Sequence, residues 1–466
     1  MADIVVCGGS VIGLSAALML ARDGHDVTVL ERDPAPVPES WEDAWSTWSR
    51  PGVPQLRQPH NLFPRFRKIL DQELPDVLDG LVTNGGTWVN FVANLPPFIT
   101  DREPRADDDQ FGYVTGRRAV VEYVFARAAA NEPRVTVRRG AKVRGFAAGP
   151  GSNGTAHVVG VETDDGVLRA DLVVDAMGRR SPASEWFDAL GARPPVVESQ
   201  DSGYTYYTQY FSGELPVPMA PPVTAIGTFL VLTIWGDNST WSVTLWATSD
   251  DHALKAFRDS EKFARVVGAC PLHAHWLDGT PITDVLPMGG ILDKYRRFVV
   301  DGAPVATGYA AVGDAWACTN PSAGRGLSIG LMHAQRLRDV ARAELDDPLG
   351  FARAWDAVTE TELAPWYWHQ LETDCARLGQ MTAVREGRAE LVSSTAPLPP
   401  RYGLAEAAAG FDADVFRAVV ETIGCLALPD EVFSRPGLWD KVVAAAPDEP
   451  FAMPGPTRDE LLALLA

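Results

Sequence analysis

Cysteine is scarce in this chain. Cys7, Cys270, Cys318, Cys375 and Cys425 are scattered and odd in number, which makes no disulfide framework and suits a reducing cytosol. A cytoplasmic location is the expectation. Long apolar runs are also missing. The nearest to one, Ile4 to Ala21, follows Asp3 rather than a basic segment and is interrupted by Gly8, Gly9 and Ser10, so it reads as neither a signal peptide nor a membrane span. Positive charge is short as well: 41 basic residues face 61 acidic ones, for a formal net charge of −20. Such a surface repels phosphate backbones, and nucleic acid is not an expected partner. Metal-ligand spacing is lacking too. Cys270, His273 and His275 have no second ligand pair, and Asp107-Asp108-Asp109 has no alternation or glycine of a calcium loop, so no metal is expected.

What remains is a soluble globular composition, 46% hydrophobic and 22% charged. A chain of 466 residues is too long for one ordinary core and predicts two packed units with an appendage. Ile4 to Cys7 reads as a buried strand, Val11 to Arg22 as a helix closed by Gly24, and Val27 to Leu30 as a second strand. That order is a βαβ unit. Pro34 to Pro64 reads as loop, Ala119 to Ala130 as helix, and Arg134 to Phe146 as strand with a turn at Gly140. Leu168 to Asp175 and Val305 to Val312 read as further strands, the latter followed by a helix from Gly324 to Leu345. Tyr204 to Trp246 is aromatic and β-branched with alternation, the pattern of an antiparallel sheet. From Asp347 onward helices dominate, with linkers near Pro397 and Pro454, and there is no internal repeat.

Between the first strand and helix stands Gly8-Gly9-Ser10-Val11-Ile12-Gly13, in the place of a GxGxxG fingerprint. Gly8 permits the sharp turn, Gly13 lets helix and strand pack closely, and the helix N-terminus offers free N–H groups to a pyrophosphate. Ser10 stands where the second glycine belongs, a departure from the pattern. Glu31 ends the second strand at the separation expected of a ribose-binding carboxylate, with Arg32 beside it. No second fingerprint follows, so a separate nicotinamide domain is not expected.

Far along the chain stand Ala311-Val312-Gly313-Asp314-Ala315-Trp316 and Asn320-Pro321-Ser322-Ala323-Gly324-Arg325-Gly326. Together with the N-terminal turn, these resemble the class A flavoprotein monooxygenases of the para-hydroxybenzoate hydroxylase fold, and most of all the actinobacterial oxidoreductases and polyether epoxidases with a GVPQ…H segment. The resemblance covers most of residues 3 to 346. It implies FAD, with Asp314 on the ribityl chain and Pro321, Gly324 and Gly326 opening a helix whose N-terminus faces the flavin. That helix dipole would stabilise negative charge on the reduced ring. Gly116 to Glu122 resembles the Arg-x-x-x-Glu helix that meets the FAD phosphate or ribose, with Arg118 chosen over Arg117 by register. Val143 falls where the family's backbone meets adenine. Asp175 to Gly178, with Arg179 and Ser181, resembles the DAxGRxS strand end. Gly52-Val53-Pro54-Gln55 and His60 match the GVPQ…H segment, which places Gln55 beside the flavin.

The implied fold is α/β: a discontinuous Rossmann-like FAD domain (1–80, 110–190 and 290–346), an inserted antiparallel β-sheet substrate domain (81–109 and 191–289) and C-terminal helices (347–466). The implied activity is insertion of one oxygen atom, by hydroxylation or epoxidation, from a C4a-hydroperoxide of the reduced flavin into an apolar or aromatic small molecule. O2 and either transient NAD(P)H or a partner flavin reductase are then required. His60 is the candidate acid or base. Tyr204, Tyr207, Gln209, Trp235 and Trp246 are candidates to line the substrate pocket, with the Trp45–Trp48 segment as a lid. A halogenase of the same fold fits poorly, because Trp41-Glu42-Asp43-Ala44-Trp45 lacks the WxWxIP pattern and Lys68 is the only lysine before residue 80. A flavin-dependent reductase or saturase, or a catalytically silent FAD-binding protein, remains open.

Overall fold

The structure, a computed structural model, describes residues 1–152, 154–388, 400–447 and 453–466. The linker expected near Pro397 lies outside the described residues. At the centre is a five-stranded sheet in the order Tyr309–Ala311, Leu172–Asp175, Asp3–Cys7, Asp26–Glu31, Val135–Arg139. Every pairing in it is parallel. A parallel sheet needs both faces covered, and the residues divide by parity to satisfy that need. Ile4, Val6, Val27, Val29, Leu172 and Val174 pack against the helices Val11–Arg22, Arg118–Asn131 and Gly326–Glu344. Val5, Cys7, Leu30 and Val173 face the opposite way. They meet Phe146, Val158, Val161 and Phe187 from an antiparallel layer, Val143–Ser152 with Thr155–Thr163, and the short helix Ala183–Ala189.

A six-stranded sheet forms the second layer, in the order Val223–Ile226, Phe229–Trp235, Thr240–Thr248, Tyr204–Ser212, Thr280–Pro281, with Leu286–Met288 also on Tyr204–Ser212. All of its pairings are antiparallel. Its register sets Tyr206 opposite Trp246 and Thr208 opposite Thr244. The face carrying Tyr207, Phe211, Val231, Val243 and Leu245 is covered by the helix Ser260–Gly268 and by the final helix Arg458–Leu465. The other face looks toward the parallel sheet.

Three expectations need correction. The first is Leu168 to Asp175, which divides into the end of Gly166–Arg169, paired with Thr155–Thr163, and Leu172–Asp175 in the parallel sheet. The stretch Pro34 to Pro64 is not all loop: Trp41–Ser46 is a helix capped by Ser40, whose side chain accepts the Asp43 N–H, and Pro64 opens the helix Pro64–Glu73. The first rests on a Ser N-cap and the second on Pro at N1, both local signals hidden by the surrounding prolines. Val305 to Val312 is not one strand either. Gly308 adopts φ +71°, which breaks it into Ala306–Thr307, paired with the antiparallel layer, and Tyr309–Ala311, paired with the parallel sheet.

Candidate functional site

One cavity of about 590 Å³ runs from the carboxyl ends of the parallel strands to the inner face of the second sheet, the place where ligands bind in open α/β folds. Its first wall is the glycine turn. Gly8 has φ +112°, and a Cβ there would sit 2.4 Å from the Ala176 carbonyl oxygen. A Cβ on Gly13 would sit 2.0 Å from the Gly8 oxygen. Leu14 N–H makes the first intrahelical bond, to Ser10 O at 2.9 Å, so the amides of Val11, Ile12 and Gly13 have no acceptor within the helix. Ser10 does not use its hydroxyl to cap them; it donates to Glu122 Oε1 at 2.5 Å. The amides are left for an anion. Gly8, Gly9, Ser10, Ile12 and Gly13 line the cavity, while Val11 turns its side chain into the core.

Glu31 reaches the cavity with both oxygens occupied. Oε2 accepts from Gly9 N–H at 3.0 Å and from Arg50 Nη2 at 2.7 Å, and Oε1 accepts from Asp33 N–H at 2.8 Å. Arg50 was not singled out in the sequence, yet its buried guanidinium binds Glu31, Asp33 at 3.2 Å and Glu122 at 3.3 Å. Burial alone would lower its pKa, but the charges of Glu122 and Glu31 reverse that and raise it. Burial would likewise raise the Glu122 carboxyl, and Arg118 and Arg50 together hold it below its ordinary range. Arg118 lines the cavity and donates to Glu122 Oε1 at 2.9 Å and Ser10 Oγ at 3.1 Å. Arg117 turns away and pairs with Asp237 at 2.6 Å. Arg32 and Val143 also line the cavity, at the same end.

The strands Leu172–Asp175 and Tyr309–Ala311 end side by side. Asp175 is buried and accepts from Met177 N–H at 2.9 Å, Tyr309 Oη at 3.0 Å and the Ser181 hydroxyl. Gly178 has φ +75°, and a Cβ on it would lie 4.0 Å from Asp314 Cβ. Asp314 lines the cavity; burial pushes its carboxyl pKa up, against the opposing charges of Arg118 and Arg179. Gly313 is outside the lining, with its N–H donated to His333 Nδ1 at 3.1 Å. Pro321, Gly324 and Gly326 line the cavity where the helix Gly326–Glu344 begins, its dipole end toward the void. Gln55 and His60 complete the wall. His60 Nδ1 lies 2.9 Å from Gln58 O. Burial, and then Arg118, lower its pKa to about 3, so near neutral pH the imidazole is uncharged and serves as a hydrogen-bonding group.

Of the candidates for the substrate end, only Trp246 lines the cavity. Tyr207, Gln209 and Trp235 point to the opposite face, because side chains alternate along a strand. Tyr207 packs edge-on against Phe257 at 5.7 Å, Gln209 donates to Thr283 O at 3.1 Å, and Trp235 Nε1 donates to Pro216 O at 2.9 Å. Tyr204 shares the inner face but is roofed by the helix Ala364–Arg385, donating to Asp374 O at 3.2 Å. Trp45 and Trp48 are no lid. Trp45 sits 5.0 Å from Tyr210 with the Arg117 guanidinium 4.4 Å from its ring, and Trp48 is buried beside Arg50 at 4.9 Å. The residues actually presented are Tyr206, Thr208, Leu232, Thr244, Met288 and Ile291. Strand parity would have found Tyr206 and Thr208, once one inward residue was known.

His333 is another residue that the sequence did not flag. Buried between Gly313 N–H and Thr359 Oγ1 (3.2 Å), it stacks on Trp355 at 4.4 Å, and burial lowers its pKa to about 3. An unfolded imidazole titrates near about 6.5. The folded state therefore binds fewer protons between those values, and this contribution to stability is complete above about pH 6.5 and lost as pH falls toward about 3. The stability advantage of wild type over His333→Gln is expected to shrink on acidification from about pH 7 to about pH 4, read by urea unfolding at several pH values. An advantage constant with pH would contradict this.

The two amide-bearing helix starts, the glycines with no room for a side chain, and Glu31 are the parts a dinucleotide needs; the residues present fit FAD. Comparison with known proteins agrees. Residues 3–90 match the family described as FAD dependent oxidoreductase. The chain is 25% identical over 367 residues to Protein Rv3254 of Mycobacterium tuberculosis, with 73% of each chain covered. Its fold is similar to that of PqsL, a probable FAD-dependent monooxygenase from Pseudomonas aeruginosa, at a TM-score of 0.59 and 16% identity over 82% of this chain and 97% of that one. It is equally similar to p-nitrophenol 4-monooxygenase PnpA from Pseudomonas putida, at 0.59 and 16%, over 93% and 100%. Residues 3–90 are thus similar to an FAD dependent oxidoreductase domain. The fold the chain shares with PqsL and PnpA is a mixed α/β one, a parallel Rossmann-like sheet joined to antiparallel sheets.

Proposed function

We propose that the protein is an FAD-dependent monooxygenase that inserts one oxygen atom of O2 into an apolar or aromatic small molecule, the other leaving as water with two electrons and two protons taken up. One observation carries this reading. A single cavity has a dinucleotide cradle at one end and the inner face of the second sheet at the other, so cofactor and substrate would share one continuous space. Bound FAD would supply the two-electron reduction that activates O2 for transfer of one of its atoms. The chain's own residues bind and exclude. The amides of Val11 to Gly13 would hold the pyrophosphate, Glu31 would take a ribose hydroxyl, Arg118 would pair with the phosphates, and Asp314 would hold the ribityl chain. The start of the helix Gly326–Glu344 favours negative charge on the flavin pyrimidine. His60, uncharged at neutral pH, orients rather than carries a proton. Electrons come from NAD(P)H bound transiently or from a partner flavin reductase.

The test is NAD(P)H oxidation by the purified FAD-loaded protein, with and without added reductase, and a screen of aromatic and polyene compounds for a mass gain of one oxygen. A flavin that no donor reduces, or reduction that yields only hydrogen peroxide across the screen, would defeat the reading. Asp314→Ala is expected to weaken FAD retention by about tenfold to a hundredfold, the worth of a hydrogen bond to a charged group. Unchanged flavin occupancy after gel filtration would contradict that assignment.

A further inference from the structure

We propose, resting on the monooxygenase reading of the cavity, that its substrate is an uncharged molecule and that aromatic carboxylates and phenolates are rejected. The charges of the cavity wall come from the dinucleotide half, from residues such as Glu31, Arg118, Lys142, Arg179 and Asp314. Among the described lining residues, those of the second sheet carry no charge: Tyr206, Thr208, Leu232, Thr244, Trp246 and Met288. Apart from Trp246 Nε1, which has no partner, the few polar groups there satisfy one another. Thr208 and Thr244 share a hydrogen bond at 2.8 Å, Thr208 donates to Gln58 Oε1 at 3.2 Å, and Tyr206 donates to Asn320 Oδ1 at 2.6 Å. A carboxylate placed against this face would leave water and find no cation.

The layer behind the wall adds to the rejection. Asp293 accepts Asn320 N–H at 2.6 Å, and Asp374 accepts from Ser322 and from Gln370 Nε2 at 2.7 Å. Two buried carboxyl groups therefore back the loop that carries Asn320 and Ser322, with Arg377 3.8 Å from Asp374. Any charge they hold repels a substrate anion. Nor does the wall offer a base to make a phenolate in place: His60 is a weak base, held there by burial and Arg118, and Tyr206 is buried with its phenol pKa pushed far up. The acceptor of the oxygen atom is then a neutral π system, an alkene or an uncharged ring.

The experiment uses the oxidised, FAD-loaded protein without reductant, titrated with methyl 2-naphthoate and with 2-naphthoate, binding being read from the flavin absorption spectrum. The ester is expected to bind about a hundredfold more tightly than the anion, the scale set by desolvating an unpaired charge. Met288→Lys places a cation on the wall and is expected to reverse the order. Equal or tighter binding of the anion by wild type, no binding of either probe, or no reversal in Met288→Lys would each overturn the proposal. Because no turnover is involved, these results stand apart from failure of oxygen transfer, which would sink the monooxygenase reading alone.

Discussion

Gly13→Val is expected to purify without bound FAD and to stay colourless when the cofactor is added back. The reason is geometric. A single Cβ at this position would lie 2.0 Å from the Gly8 carbonyl oxygen and 3.1 Å from Ala176 Cβ, and the first of these contacts is with backbone, which has no rotamer to yield. Helix Val11–Arg22 must then move away from the strand Asp3–Cys7 and carry its free amides with it. Forced separation of packed elements costs about 1–3 kcal/mol or more. The binding loss compounds this, because every amide aimed at the pyrophosphate is displaced at once. A loss of affinity of at least about a hundredfold is expected, equivalent to about 2.7 kcal/mol. The ratio of flavin to protein absorbance measures it directly. Wild-type occupancy in Gly13→Val would remove the turn from the cofactor site.

The second large effect belongs to Arg50→Met. The side chain of Arg50 is fully buried and touches three carboxylates, Glu31, Asp33 and Glu122, of which Glu122 is itself wholly enclosed. Removing the cation that touches all three leaves Glu31 and Asp33 without their ion-pair partner and Glu122 with Arg118 alone, and breaking a buried pair costs about 3–5 kcal/mol in comparable sites. Denaturant unfolding should show that loss. Its pH dependence gives the mechanism: without Arg50 the pKa of Glu122 rises, so the deficit is largest at neutral and higher pH and shrinks as acid protonates the carboxyl. The double variant Arg50→Met/Glu122→Gln should recover part of the stability, since the two sites are coupled. A deficit independent of pH and additive in the double variant would show Arg50 to act through packing alone.

These two residues also mark the boundary of what the sequence disclosed. Gly13 was legible because its constraint is local: strand, turn and helix adjoin in sequence, and spacing alone reveals them. Asp314 and Arg118 were named through the family resemblance, and both line the cavity, while Arg117 pairs with Asp237. Arg50 was not legible, because its partners lie 17, 19 and 72 residues away and no spacing links them. The second sheet shows a different limit. Its existence was plain from the alternation, but alternation gives two faces without saying which is inside. The expected Tyr207 and Gln209 each stand one residue from Tyr206 and Thr208, and that offset exchanges cavity for core. Trp45 and Trp48 failed for a third reason: an aromatic residue in a proline-rich stretch serves as well for stacking on arginine as for covering a ligand.

The cavity wall draws on residues 8 to 13, on 52 to 60, on 141 to 144, on 176 to 182, on four segments of the second sheet and finally on 312 to 327. Synthesis proceeds from the N-terminus, so a ribosome carrying the first three hundred amino acids would have the phosphate cradle but no Asp314 and no Gly326 dipole to grip the isoalloxazine. Flavin capture would therefore belong to late translation or to the released polypeptide, once both ends of the cavity exist.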